Sequence, residues 1–167
     1  TYEELMLLYK MSTNMKVSQS DLNFLQLACD SMMEIVRVEG IAIFLEKKIE
    51  DTRKLVLSAG TGLLAIDHKS DNSVEILFER MQDVLASGSD ALTDSEVNGV
   101  YKYEWSVRVE NIIAVPLSCN NKIIGMMIAT NLLDRNDFDT NNIRLFNAVA
   151  TECAIFIGNQ NHFMDLK

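Results

Sequence analysis

The chain has 167 residues and 18.8 kDa, with 48% apolar and 23% charged residues, which suits one folded domain and excludes a disordered chain. Fifteen Lys+Arg stand against 24 Asp+Glu, and the resulting charge of −9 argues against a nucleic-acid binder and against docking on anionic lipid. The longest apolar run outside helical patterns, Ile123 to Ala129, is too short to cross a bilayer.

Residues 2–15 read as a helix with apolar side chains on more than one side. Ser18 to Ser20 offer caps for a second helix, in which Leu22, Leu25, Cys29, Met32 and Val36 recur at three- and four-residue spacing, with Gly40 as its stop. Ile41 to Leu45 is a β-rich apolar run, followed by a polar turn over 46–53 and a partner strand from Lys54 to Ala59. A helix from Ser70 to Gly88 carries Val74, Leu77, Phe78, Met81 and Leu85 on one face, and Ala91 to Thr93 form a very short strand. Residues 94–108 are polar, irregular and aromatic-bearing. Strands over Asn111 to Ser118 and Lys122 to Thr130 flank the Asn120-Asn121 turn, since Asn tolerates positive φ. Asp139 caps a long final helix running to about residue 162, roughly 35 Å at 1.5 Å per residue.

Hairpins at both ends of this order predict an α+β fold around a central antiparallel sheet of five to six strands. The inner strands are apolar at nearly every position, so both sheet faces must be covered. The terminal helices are expected on one face and a lid of helix and loop, including residues 94–108, on the other. A cavity between sheet and lid would be lined by Phe44, Thr93 and Thr130 from below, with Tyr101 and Trp105 above.

Gly60-Thr61-Gly62-Leu63-Leu64-Ala65 fits a G-x-G-x-x-A pattern, but no long helix starts within it and its strands are hairpin-paired, so a plain turn is the better reading. His68 and His162 are isolated and make no metal spacing. Cys29, Cys119 and Cys153 form no CxxC pair and read as reduced thiols of a cytoplasmic protein. Only Cys119, beside Lys122 at a strand end, suggests any reactivity. No nucleophile–base pair, phosphate loop or paired-carboxylate spacing is present, which predicts a chain that is not an enzyme. Both terminal helices carry more apolar surface than one sheet requires. Leu5, Leu8, Leu145 and Ile155 are therefore the expected contacts of a homodimer, the alternative being burial within one chain.

In order and spacing, these pieces resemble a GAF domain over roughly residues 20–160. Gly40 with Ile41 to Leu45 is similar to that family's first strand, and Leu55 to Gly60 to its second. Val74 to Gly88 followed by Ala91 to Asp94, Ile112 to Leu117 with Pro116, and Ile123 to Met126 resemble its helix–strand segment and its closing hairpin. Phe138-Asp139, Ala150, Ala154 and Asn159 fall where its last helix is read. The family's cyclic-nucleotide signature is matched by Asn131 and Phe138 but departs at Leu132, Asn142 and Ile143. No Cys and His pattern of its tetrapyrrole carriers is found in 91–118, and the three cysteines are not clustered as in its methionine-sulfoxide reductase.

The resemblance implies a non-catalytic sensory domain, 18–162, preceded by a signalling helix over 1–17 and followed from 163 by a linker to an output domain of a longer signalling protein. It would bind an unnamed small molecule and act as a homodimer, with no metal, nucleotide or tetrapyrrole cofactor legible. A ligand-free dimerisation module and a thiol-based redox sensor or reductase remain the alternatives.

Overall fold

A computed structural model describes residues 2, 4–9, 21–62, 91–95, 111–132 and 138–165. Residues 4–9 are helical. Helix α1 (Asp21–Ile35) leads into strands β1 (Val38–Ile49) and β2 (Thr52–Gly62). Strands β3 (Leu92–Ser95), β4 (Asn111–Cys119) and β5 (Lys122–Leu132) follow, and helix α2 (Thr140–Asp165) closes the chain. Among the described residues the strands make one five-stranded sheet, ordered β2-β1-β5-β4-β3, with every pair antiparallel. The α+β architecture is as the hairpin pattern predicts. The predicted helix over 70–88, most of 94–108 and the 10–15 part of the first helix lie outside the described residues.

Turn chemistry sets the two hairpins. Asn120 and Asn121 take φ 53° and 64°, the left-handed pair that a two-residue hairpin turn requires. Glu50 and Asp51 do the same at φ 51° and 63°. The first hairpin is therefore longer than its hydrophobic pattern suggests, because the polar stretch read as a turn is mostly strand. Gly40 is also reassigned. Helix α1 ends at Ile35, where Val36 N–H donates to the Met32 carbonyl (2.8 Å), and Gly40 lies inside β1 opposite Gly62 and Thr130.

Both helices lie on the same face of the sheet. Phe24 of α1 stacks on Phe156 of α2 with ring centroids 4.4 Å apart, and Phe146 meets Phe138 edge-on at 6.2 Å. The buried cluster joins these rings to Cys29, Met32, Val149 and Cys153, and to Ile41, Ile43, Ile113, Val115, Met127 and Ala129 of the strands. Leu7 of the N-terminal helical segment joins it too. The start of α2 is fixed reciprocally: Asn142 N–H donates to Asp139 Oδ1 and Asp139 N–H donates to Asn142 Oδ1, each at 2.9 Å. At the sheet edge, the Gln26 amide takes the place of a neighbouring strand. Its Nε2 donates to the Gly60 carbonyl (2.9 Å) and its Oε1 accepts from Gly60 N–H (3.2 Å). That contact, with Gly62 at φ 65°, accounts for the G-x-G pattern without a nucleotide.

Candidate functional site

Residues paired across an antiparallel sheet project from the same face, and neighbours along a strand alternate. Ile43, Met127 and Val115 form one rung of the helix face. One residue along, Phe44, Met126 and Pro116 form a rung of the reverse face. The next reverse-face rungs are Ala42, Ile128 and Ala114, then Gly40, Thr130 and Ile112. Phe44 is 5% exposed and Thr130 is 3% exposed, and Ala42, Ala114, Met126 and Ile128 are equally enclosed. On the three central strands these rungs carry no charged side chain and one hydroxyl, that of Thr130, while at the sheet edge β3 pairs Asp94 with Ile112 of the last rung. Gly40 beside Thr130 contributes no side chain and is buried as well.

Of the residues expected to line a pocket, the sheet brings Phe44 and Thr130 to one face. Thr93 is on the other. It pairs with Ile113, which pairs with Ala129, and both of these belong to the helix-side cluster. Tyr101 and Trp105 lie outside the described residues. Ala42, Ile112, Ala114, Met126 and Ile128 are the members of this face that sequence reasoning missed. Alternation along each strand would have grouped them, but strands apolar on both faces carry no polar marker of which residues share a side; the two register irregularities, at Ser58 of β2 and Ile124 of β5, lie outside this set. Close strand approach holds the floor together. A Cβ at Gly125 would collide with the Phe44 carbonyl oxygen, so glycine lets β5 pass β1 here.

The expected dimer contacts divide in the same way. Leu5 (68% exposed) and Ile155 (45%) are on the surface, with Tyr2, Met6 and Tyr9 also exposed. Leu8 is half-buried against the core. Leu145 is corrected: at 5% exposure it belongs to the core of its own chain, because α2 turns that side toward the sheet.

The cysteines have distinct surroundings. Burial pushes the Cys29 thiol up to about 12, helped by the Asp30 charge, and burial raises Cys153 further, with Cys29 and Glu152 adding to it. Both are therefore protonated at neutral pH. Cys119 is half-buried, and its Sγ lies 3.1 Å from where a Cβ at Gly158 would stand. Among the described residues no group of three His, Cys, Asp or Glu is placed to hold a metal, and no helix is long and apolar enough to cross a membrane.

Two helices on one face of a 2-1-5-4-3 antiparallel sheet, with an enclosed reverse face, define an α+β domain. A GAF domain profile matches residues 20–157, and the chain belongs to the GAF family, whose domains are sensory and regulatory modules of signalling proteins. Similar solved structures include the GAF domain of a phosphoenolpyruvate-protein phosphotransferase from Coxiella burnetii, with 14% identity, 98% of each chain covered and a TM-score of 0.72. Residues 122 to 287 of a methyl-accepting chemotaxis protein align over 92% of this chain and 98% of that one, with 13% identity and a TM-score of 0.72. Free methionine-R-sulfoxide reductase from Neisseria meningitidis, solved with its substrate, aligns over 95% of this chain and 90% of that one, with 14% identity and a TM-score of 0.69. At these identities the likeness is one of fold. No curated protein matches the chain.

Proposed function

We propose that this GAF domain is a non-catalytic sensor of a cytoplasmic signalling protein, which takes a small, neutral, largely apolar molecule on the reverse face of its sheet. The observation that supports this is the sharing of strands. Phe44 and Thr130 belong to the reverse face, while their neighbours Ile43 and Ala129 belong to the cluster that holds α1 and α2. A ligand that displaces the Phe44 ring or bonds the Thr130 hydroxyl shifts the rungs on which both helices rest. The floor carries no cation, and Asp94 pairs with Ile112 at its edge, which disfavours an anionic ligand, whose burial without a cation is costly. A flat ring fits against Phe44 and Met126, with one polar group toward Thr130. In a homodimer, Leu5 and Ile155 are the exposed apolar positions through which the helices would pass the change on.

Native mass spectrometry of freshly purified protein tests this directly, reading retained mass and stoichiometry together. A retained or added planar compound should be lost from Thr130→Val while the fold persists. The ligand-free dimerisation reading has its own support, since the floor side chains are already enclosed within one chain. A dimer with no retained mass, and no thermal shift with neutral aromatic probes, would replace the sensor reading with that one. Thiol chemistry is disfavoured by the raised Cys29 and Cys153, whose thiolates are scarce at neutral pH. Replacing all three cysteines by Ser should leave the ligand response unchanged.

A further inference from the structure

Most of what seats α1 on the sheet is apolar. Phe24, Leu25, Ala28, Cys29 and Met32 are buried in the shared cluster. Contacts of that kind are non-directional, so they hold the helix without fixing its position along the strands. Gln26 adds a directed contact. Its Nε2 donates to the Gly60 carbonyl at 2.9 Å while its Oε1 accepts from Gly60 N–H at 3.2 Å, a two-point clasp on the main chain of β2. Nε2 also donates to Asp30 Oδ1 at 3.0 Å, one turn along α1. That bond fixes which way round the amide stands, since a flipped amide would set Oε1 against both the Gly60 carbonyl and the Asp30 carboxylate. Gly60 pairs with Ala42, Ala42 with Ile128 and Ile128 with Ala114, so the clasped residue is the β2 end of a reverse-face rung. The clasp thus joins a helix on one face of the sheet to a rung of the other.

From this geometry we propose that Gln26 is a positioning residue, the clasp through which a shift of the rung Gly60–Ala42–Ile128–Ala114 reaches α1. The role rests on the sensor reading above and names α1 as the helix that answers a change on the reverse face. A shift carried by packed side chains alone would reach α1 and α2 alike, because both rest on the same cluster. A shift carried by the clasp moves the Gly60 main chain, and with it the amide and α1, ahead of α2.

The test needs no ligand. Amide hydrogen exchange is followed by NMR on the whole chain, with the α2 amides of the same sample as the reference for any change in global stability. In Gln26→Leu, which keeps comparable bulk and loses the hydrogen bonds, Gly60 N–H should exchange about tenfold faster. Asp30→Ala should fall between that variant and the parent. Ile128→Val, a small change in the floor, should speed exchange over α1 by roughly twofold or more beyond its effect on α2, and the difference should vanish when it is combined with Gln26→Leu. Gln26→Glu keeps the acceptor for Gly60 N–H but cannot donate to the carbonyl, and takes the place of Gln26→Leu if that variant fails to fold. A chain that retains no small molecule would overturn the sensor reading and leave these exchange ratios unaltered. Gly60 exchange unchanged in Gln26→Leu, an equal response of α1 and α2 to Ile128→Val, or an α1 response that survives loss of the clasp would each overturn the proposal.

Discussion

The two faces of the sheet are made from alternate residues of the same strands, yet they are finished in different ways. On the helix face, the rung Ile43–Met127–Val115 meets Phe24, Phe146 and Phe156, and the space is filled by large side chains from two helices. On the reverse face, the rung Gly40–Thr130–Ile112 has a hydroxyl beside a residue with no side chain. The helix face is a core in which each side chain has a packed partner. The central strands of the reverse face combine apolar side chains with one hydroxyl, and β3 pairs Asp94 with Ile112 at the edge of that face. The two faces share one layer of backbone, and under the proposed function the reverse face senses while the helix face stabilises.

The sharpest break in that division comes from Phe156→Ala. Removing a fully buried ring stacked on Phe24 should cost about 3–5 kcal/mol in urea unfolding. Loss of under 1 kcal/mol would mean that the helix face is not the main core. Gly125→Ala acts on both faces at once, because the added methyl pushes β5 away from the Phe44 carbonyl. Overpacking of this kind costs about 1–3 kcal/mol, and the change should also disturb any ligand bound over Phe44, read as a lower melting temperature and weaker binding together.

A smaller effect comes from pH. Cys29 rises from its ordinary 9.0 to about 12 in the folded chain, so between those values the folded state holds a proton that the unfolded state has released. Its contribution is complete below pH 9 and is lost as pH rises toward 12. Stability should therefore be flat through neutral pH and fall by about 1 kcal/mol by pH 10. Cys153, raised further by burial, adds to the same alkaline fall, so Cys29→Ala should reduce the slope of the alkaline limb without removing it, and a limb unchanged in that variant would place the titrating group elsewhere. Thr130→Val is the mildest of these in stability, about 1 kcal/mol or less, yet it should remove the response to a ligand that bonds its hydroxyl.

The elements themselves were legible in the sequence. Asn120-Asn121 announces its turn because few other residues accept positive φ in succession, and Asp139 announces the start of α2 because it caps the first free N–H groups. The three/four spacing of Leu25, Cys29 and Met32 shows which side of α1 is buried. The order of these local signals is also enough to point to the GAF family.

Face assignment was not legible, and the reason is physical. Strands β4 and β5 are apolar on both sides, so no polar alternation marks which residues share a face, and a single bulge reverses the assignment of everything beyond it. Thr93 was grouped with Phe44 and Thr130, although its pairing with Ile113 puts it on the opposite side. Leu145 and Ile155 look equally available as apolar residues of one helix, and only the seat of α2 on the sheet buries the first and exposes the second. Composition, caps and turns are local quantities that a chain carries before it folds. Register and burial are relations between segments distant in sequence, and they acquire values only when the strands pair.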